Sequence, residues 1–286
     1  MFLRCLAMGV LCALHISLFA QTNLFFPSNY LKSYDDWTRS YDGRPGPNYW
    51  QNRAAYTIAA EIDPQTRILS GRETVSYFNN SPDTLQFIRF KLQHDRYKKG
   101  VQRSFDVAAS DVSDEGTRIE MVQYDGQTIP AESMRRSATF LDISLKDKPL
   151  APKSSATFEV VWSYTLPAAR GSARECVCDS TTFFVPYFYP QIAVYDDLNG
   201  WASHPYTGQQ EFYHDFADYD VRITLPPGFQ VWATGEWQNA REILQPSYFN
   251  RWEKAQTSET VLSIFSEKEL QSKGVYKANC THDLPL

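Results

Sequence analysis

The sequence predicts an all-β protein, a large antiparallel multi-sheet sandwich with one short helix. Apolar and polar residues alternate with a period of two in several separate runs, which is typical of half-buried strands. Pro, Gly, Asn and Asp separate these runs as turn residues. The alternation of strands with helices that predicts a parallel sheet does not occur. Aromatic residues make up 15% of the chain, enough to fill the core of such a sandwich.

The first 20 residues have the pattern of a secretory signal peptide. Arg4 supplies a positive charge, Leu6–Phe19 is apolar except for His15 and Ser17, and Ala20 is a small residue before Gln21. The apolar run is shorter than the roughly 20 residues that a membrane-spanning helix needs. We therefore predict a signal peptide at 1–20, a secreted or periplasmic protein, and no transmembrane segment.

Residues 21–48 are expected to form an irregular segment. This part of the chain is rich in Tyr, Asp, Asn, Pro and Gly, and Pro45 and Pro47 fix an extended backbone. The β domain is then predicted to occupy 49–286.

Strand patterns begin at Tyr56, where apolar residues at every second position continue to Ile62. Pro64 favours a turn before the return strand. The same reasoning predicts strands at Ile68–Phe78, Leu85–Leu92, Ile119–Tyr124, Leu141–Leu145, Phe158–Tyr164, Val221–Leu225, Phe229–Thr234 and Ser258–Phe265. The predicted helix is Pro246–Ala255, with Ser247 as the candidate N-cap.

Cysteine spacing predicts structural or incidental thiols. Cys176, Cys178 and Cys280 remain once the signal peptide is removed. An extended strand places alternate residues about 6–7 Å apart, which does not favour a disulfide between Cys176 and Cys178. A metal site is not expected, because no second cysteine pair with zinc-like spacing is present. Which of the three cysteines form disulfides is left open.

Composition and motifs exclude several classes of function. The net charge of −5 and the pI near 5.6 give no basic footprint for nucleic acid. The chain has no G-x-S-x-G nucleophile motif and no glycine-rich phosphate loop. The acidic cluster Asp215, Asp218 and Asp220 lacks the ligand spacing of a calcium loop. No catalytic residue and no metal ligand is therefore predicted.

The segment from Tyr187 to Tyr213 is the candidate binding region. Its sequence, YFYPQIAVYDDLNGWASHPYTGQQEFY, combines many rings with turns at Gly200 and Gly208. Long aromatic loops are either buried plugs or binding loops. If the rings face water, they form an apolar patch; if the loop folds back, they bury one another. The candidate substrate- or domain-interface residues are Tyr187, Phe188, Tyr189, Gln191, Tyr195, Asp196, Asp197 and Trp201.

Three segments in chain order carry a family resemblance. They are GPNYWQNRAAYTI, the run Asp63–Gly100, and YPQIAVYDDLNGW followed by HPYTGQQEFY. Together they cover nearly all of Pro45–Phe265 and resemble the N-terminal β domain of M1-family zinc aminopeptidases, in the secreted bacterial branch. The resemblance implies a saddle-like, non-catalytic domain that packs on a catalytic domain and shapes its substrate cleft.

The same resemblance places the chemistry in a following catalytic domain, where an H-E-x-x-H helix binds zinc. None of the five histidines of this chain is followed by Glu or lies four residues from another. We therefore expect the chain to end before the catalytic domain, as a truncated form that holds no zinc and is inactive alone. A separately encoded metallopeptidase domain is the expected partner, and a peptide is a possible substrate.

One departure bears on the site. The branch has Gln-Trp-Tyr-Pro where this chain has Tyr187-Phe188-Tyr189-Pro190. A phenol at Tyr187 therefore replaces the amide that could bind a peptide amine, and Gln191 is not assigned that role. The alternative function is a stand-alone exported β module that binds a peptide, a glycan or a protein partner through the 187–201 loop.

Overall fold

The computed structural model describes residues 26–168, 175–226, 229–272, 274–277 and the backbone of 283–285. The predicted signal peptide and Cys280 lie outside the described residues. The chain divides into two compact units. The first comprises Met1–Trp50 and Asp196–Gly200, and the second comprises Gln51–Tyr195 and Trp201–Leu286.

The first unit contains a helix, α1 (Ser28–Asp35), inside the segment that was expected to be irregular. The ring of Tyr34 stacks on Tyr41 at 4.1 Å and meets Phe26 edge-on at 5.8 Å. These contacts give the helix an apolar face. The helix has only eight residues, which are too few to show a periodic pattern in the sequence. Gly46 is required nearby, since a Cβ atom there would lie 2.1 Å from the carbonyl oxygen of Trp37.

The described strands follow in chain order. They are β1 (Arg53–Asp63), β2 (Ile68–Asn79), β3 (Phe87–Lys91), β4 (Arg118–Tyr124), β5 (Gln127–Thr128), β6 (Met134–Ser137), β7 (Phe140–Ser144), β8 (Ser154–Thr165), β9 (Cys176–Val177), β10 (Phe183–Phe184), β11 (Gln191–Ile192), β12 (Tyr195–Asp196), β13 (Gly200–Trp201), β14 (Ala217–Thr224) and β15 (Asp283–Pro285). All the predicted strands from Tyr56 to Leu225 are confirmed, with ends that differ by a few residues. The two predicted strands after Leu225 are not.

A seven-stranded sheet in the order β15-β14-β1-β2-β8-β4-β5 forms the larger layer of the second unit. Its central strands alternate between buried and more exposed residues, as the sequence pattern predicts. The pairing is antiparallel except between β1 and β14, which run parallel from Ala54↔Ala217 to Glu61↔Thr224. The predicted antiparallel architecture is therefore confirmed with one exception.

A four-stranded sheet in the order β11-β3-β7-β6 forms the second layer. Ile88 and Phe90 from this layer belong to the same buried cluster as Val75 and Phe158 from the larger sheet. The rings of Phe90 and Phe158 meet edge-on at 5.9 Å. The core therefore lies between two sheets, and the fold is all-β and multi-sheet, as predicted.

Helices of the second unit are α2 (Ala240–Ile243), α3 (Pro246–Gln256) and α4 (Glu267–Gln271). The predicted helix at Pro246–Ala255 is confirmed as α3, although Gln245 rather than Ser247 precedes its first turn. The prediction of a single helix is wrong. The sequence signal for α4 is its capping box, in which Ser266 and Glu269 hydrogen-bond each other's backbone N–H. None of the helices in the described part of the chain is long and apolar enough to cross a membrane.

Two predicted strands are wrong. Neither Ser258–Phe265 nor Phe229–Thr234 forms a strand. Phe229 and Phe265 still pack against the core, through rings 5.9 Å from Phe183 and 6.4 Å from Tyr248 respectively. These apolar side chains are thus covered although their backbone pairs with no strand. A period-two pattern in the sequence cannot distinguish this arrangement from a strand in a sheet.

Candidate functional site

Tyr187 opens the candidate loop with a strained backbone. Its φ of +41° is unusual for a residue with a side chain. The ring packs on Phe212 at 4.7 Å, and its hydroxyl lies 3.5 Å from that of Tyr206. Burial raises the pKa of Tyr187 well above its usual range, although the nearby Arg96 charge acts in the opposite direction. The phenol is therefore a neutral hydrogen-bonding group within the protein.

Phe188 and Tyr189 turn towards the seven-stranded sheet. Phe188 lies 6.1 Å from the fully buried Trp162 ring. The Tyr189 hydroxyl donates a hydrogen bond of 2.8 Å to the hydroxyl of Tyr219. Burial, followed by the neighbouring Tyr219, raises the pKa of Tyr189 far above its usual range. Both rings are half-buried and help cover the sheet rather than project from it.

Gln191 lies on β11, opposite Lys91 of β3, and only 7% of its surface is exposed. The strand is held from below by the Tyr56 hydroxyl, which accepts a 3.0 Å hydrogen bond from the N–H of Ile192. Gln191 lines a shallow hollow whose other walls include Tyr77, Asp215 and Phe216. The side-chain amide of Gln191 is therefore the candidate group that borders this hollow.

Tyr195 and Trp201 are structural. The Tyr195 hydroxyl donates to a carboxylate oxygen of Asp83 at 2.7 Å, and its ring meets Trp201 edge-on at 5.0 Å. Trp201 is 8% exposed and packs between Tyr77 and Phe87. The alternative in which this ring faces water is therefore wrong. The loop takes the second of the two predicted forms, since it folds back, but its rings pack on the strands beneath as well as on one another: Trp201 is buried, and Tyr187, Phe188, Tyr189 and Tyr195 are half-buried.

The two aspartates belong to the first unit and have separate tasks. An Asp196 oxygen accepts from the N–H groups of Leu198 and Asn199 at 3.0 and 2.7 Å, which closes an Asx turn. Asp197 accepts two hydrogen bonds from the Arg39 guanidinium at 2.9 and 2.8 Å. Burial on its own raises the pKa of Asp197, but the bonds from Arg39 and Thr38 outweigh it and the pKa is lowered. Both carboxylates are therefore engaged within the unit.

Sequence reasoning missed most of an aromatic run that begins at Tyr213, the last residue of the candidate region, and continues beyond it. Tyr213, Phe216 and Tyr219 are 52%, 95% and 44% exposed, and we call them the 213–219 aromatic run. Phe216 borders the same hollow as Gln191. The available signal was three rings at three-residue spacing that lead into the strand predicted at Val221–Leu225, although Tyr219 itself lies in β14. The burial of a ring depends on residues that are distant in the sequence. The sequence therefore did not distinguish these exposed rings from those of the 187–201 loop.

A buried polar cluster beneath Tyr187 was also missed. Arg96 is 1% exposed, donates to the hydroxyls of Tyr206 and Tyr97 at 3.1 and 2.5 Å, and lies against both rings. His94 lies 3.3 Å from the carboxylate of Glu175, which is 1% exposed. Burial raises the pKa of Tyr97 to about 12, although Arg96 opposes it. The side chains of this cluster are buried from solvent. Their role is therefore structural, and they support the backbone and ring of Tyr187.

Metal binding finds no support in the described residues. No group of three or more His, Cys, Asp or Glu side chains within the described ranges could hold a metal ion. Asp218, one of the three aspartates of the acidic cluster, instead lies 3.2 Å from Arg53.

Comparison with known proteins gives a structural likeness. No family model matches the chain, and none of the curated proteins matches it. Among solved structures, the M1 zinc metallopeptidase from Deinococcus radiodurans is similar with a TM-score of 0.40 and 15% identity. A mutant of that enzyme bound to a Tyr-Ser-Ala substrate has a TM-score of 0.37 and 15% identity. Each match covers 68% of this chain and 37% of the other. Legionella pneumophila aminopeptidase A is similar with a TM-score of 0.33 and 6% identity, covering 60% of this chain and 16% of that one.

Proposed function

We propose that this chain is a non-catalytic β domain of an M1-like aminopeptidase, which packs on a zinc-dependent catalytic domain and helps to shape its substrate cleft. The observation that carries the proposal is the 213–219 aromatic run. It begins at Tyr213, the last residue of the segment HPYTGQQEFY, which resembles the part of the family that leads to the catalytic domain. The two-sheet fold and the order of the other resembling segments support the same assignment.

The exposure of the run is costly without a partner. Phe216 is 95% exposed, whereas a ring of this size normally contributes to a core or an interface. Burial of apolar surface is worth roughly 25 cal/mol per Å². Exposed apolar groups concentrated in one place mark interaction sites. A docked domain would cover Phe216 and Tyr219 and would leave the amide of Gln191 at the border of the contact.

The zinc that the resemblance implies has no ligand set among the described residues. No step of peptide hydrolysis is therefore assigned to these side chains. Their role in the proposed function is to bind the catalytic domain and to limit the space above its cleft. Export of the protein, through the predicted signal peptide at 1–20, is part of the same proposal.

Co-expression tests the proposal directly. The chain is produced with an H-E-x-x-H-containing catalytic domain encoded in the same genome, and the pair is purified through a tag on this chain. We expect the two to copurify and to release amino acids from aminoacyl anilides, an activity that a chelator abolishes. Phe216→Ser should lower the affinity of the pair at least about tenfold, since about 1.4 kcal/mol corresponds to that factor.

Val261→Ser is the matched control, because Val261 is an apolar side chain that is 100% exposed outside the run. Equal loss of binding in both variants, or no copurification with any such domain, would contradict the proposal. Binding of a peptide or a glycan by the chain alone, sensitive to Phe216→Ser, would instead support the stand-alone binding module.

A further inference from the structure

Cys176 and Cys178 form a close thiol pair at the base of a small hairpin. Their Sγ atoms lie 2.7 Å apart, although the sequence spacing predicted no disulfide geometry. The prediction considered only Cα positions in an extended strand. Alternate residues point to the same side of a strand, and β9 ends at Val177, so rotation about the Cα–Cβ bonds brings the sulfur atoms together.

The backbone on both sides of the pair is fixed by hydrogen bonds. The N–H of Val177 donates to the carbonyl of Pro167 at 3.0 Å, and that of Cys178 donates to the carbonyl of Thr182 at 2.8 Å. Phe183 and Phe184 pair with Val177 and Cys176 across the hairpin. These hydrogen bonds hold the backbone of both residues, so the folded hairpin keeps the two thiols on the same side of the strand and within reach of each other.

The two thiols differ in access to solvent. Cys176 is 8% exposed, whereas Cys178 is half-buried at the end of the strand. The turn beyond it, Asp179–Thr181, is exposed and polar. A small reagent therefore reaches Cys178 first, and Cys176 is positioned behind it, within reach of the Cys178 sulfur.

We propose that Cys176 and Cys178 are a reversible dithiol–disulfide site, oxidised by exchange with a small-molecule disulfide. The Cys178 thiolate attacks one sulfur of that disulfide, forms a mixed disulfide and releases one thiolate. The Cys176 thiolate then attacks the Cys178 sulfur, closes the Cys176–Cys178 bond and releases the second thiolate. The two protons lost by the cysteines pass to the two released thiolates, and the small molecule takes up both electrons.

The site is suited to exchange rather than to stabilisation. The disulfide would close a loop with a single intervening residue, and the entropic stabilisation of the fold falls as the closed loop shortens. The hairpin is attached to the core through Val177 and Phe183. Oxidation would therefore change the covalent structure of the β9–β10 hairpin. This inference does not depend on the proposed docking of a catalytic domain.

Glutathione equilibration tests the inference on the full chain. The purified chain is incubated in mixtures of oxidised and reduced glutathione, quenched in acid, alkylated with N-ethylmaleimide and analysed by peptide mass spectrometry. In the oxidising mixture, the peptide that carries both cysteines should lose two hydrogen masses and both alkylation sites. Dithiothreitol should restore both sites.

Two variants separate the roles of the cysteines. Cys176→Ser should accumulate a glutathione adduct on Cys178, and Cys178→Ser should leave Cys176 unmodified by glutathione. Cys280→Ser is the matched control and should behave as the parent chain does. Alkylation of both cysteines in the oxidising mixture, or a disulfide from either one to Cys280, would overturn the inference.

Discussion

Glu73 and Trp162 are fully buried on the same face of the seven-stranded sheet, and neither side chain has a hydrogen-bond partner among the described residues. Gly71 pairs with Trp162, and Glu73 pairs with Val160, so the two side chains lie diagonally across β2 and β8. Both oxygens of the carboxyl group and the indole N–H are unpaired. A buried polar group in this state costs free energy, and a charged one costs more.

The first prediction concerns the pH dependence that Glu73 imposes. Burial raises the pKa of Glu73 well above its ordinary value of 4.5. The folded state therefore keeps the proton in a pH range where the unfolded state has lost it, so the free energy of unfolding falls as pH rises from about 4.5 through the folded pKa. Glu73→Gln should remove this fall, worth at least about 1.4 kcal/mol for each unit of pKa shift.

Urea denaturation at several pH values between 5 and 9 measures the effect. Glu61→Gln is the control, because Glu61 is an exposed carboxylate on the neighbouring strand β1. A Glu73→Gln variant with the same pH dependence as the parent chain would show that the buried carboxyl is not the source.

The second prediction concerns the glycine beside Trp162. A Cβ atom at Gly71 would lie 2.5 Å from Cζ2 of Trp162 and 3.1 Å from the carbonyl oxygen of Ala59. The indole is fully buried, and a densely packed core resists displacement of a ring of this size. Gly71→Ala should therefore destabilise the protein by about 1–3 kcal/mol, the usual cost of overpacking a core.

Thermal unfolding compares Gly71→Ala with Gly274→Ala. The nearest atom to a Cβ at Gly274 is the Ser272 hydroxyl at 3.6 Å, which is ordinary contact. Equal melting temperatures for the two variants would contradict the close packing of Trp162 on Gly71.

The sequence predicted the strands that lie over the core and missed what depends on long-range pairing. β2 and β8 alternate because one face is buried, so the pattern is present in the sequence itself. The parallel pairing of β14 with β1 joins residues about 160 positions apart and leaves no local pattern. Phe229 and Phe265 are covered by rings instead of strand partners.

The composition of the sequence predicted where the candidate aromatic region lies, but it did not predict which of its rings are exposed. The sequence identified the aromatic loop, yet Trp201 is buried and Phe216, beyond the chosen range, is almost fully exposed. Which ring faces water depends on the strands beneath it. Trp201 lies over Tyr77 of β2 and Phe87 of β3, and nothing near Trp201 in the sequence indicates that contact.

The third prediction concerns the first unit. Asp197→Asn removes the charge that the Arg39 guanidinium meets through two hydrogen bonds, at a carboxylate whose side chain is 4% exposed. Hydrogen bonds to charged groups are worth about 1.5–3 kcal/mol, and the partial exposure of Arg39 reduces this to roughly 1–2 kcal/mol. Hydrogen exchange should show loss of protection at Thr38 and Arg39, whose N–H groups bond to Ser33.

Asp42→Asn is the control for this pair. Asp42 lies 3.8 Å from Arg44, and both side chains are largely exposed. Exposed ion pairs contribute little, so protection at Thr38 should not change. Because the pKa of Asp197 is lowered, the parent chain should also lose this protection as pH falls through the folded pKa of Asp197, below its ordinary value of 3.8. Protection that is unchanged in Asp197→Asn would contradict the role of the pair.

The last prediction concerns His214, next to the aromatic run. Burial, together with the smaller effect of the Lys91 charge, lowers the pKa of His214 from 6.5 to about 4. The neutral ring lies 3.4 Å from the amide nitrogen of Gln93 and stacks on Phe212. Between pH 6.5 and about 4 the unfolded chain binds a proton that the folded chain does not, so the free energy of unfolding falls as the solution is acidified through this range.

His214→Gln should remove part of that fall, on the order of 1–2 kcal/mol after allowance for partial exposure. Denaturation by urea at pH 7 and at pH 4.5 measures the difference, and His204→Gln, at an exposed position, is the control. If His214→Gln loses as much stability on acidification as the parent chain, the ring is hydrated in solution. In that case the stack of His214 on Phe212 and its contact with Gln93 are open in solution.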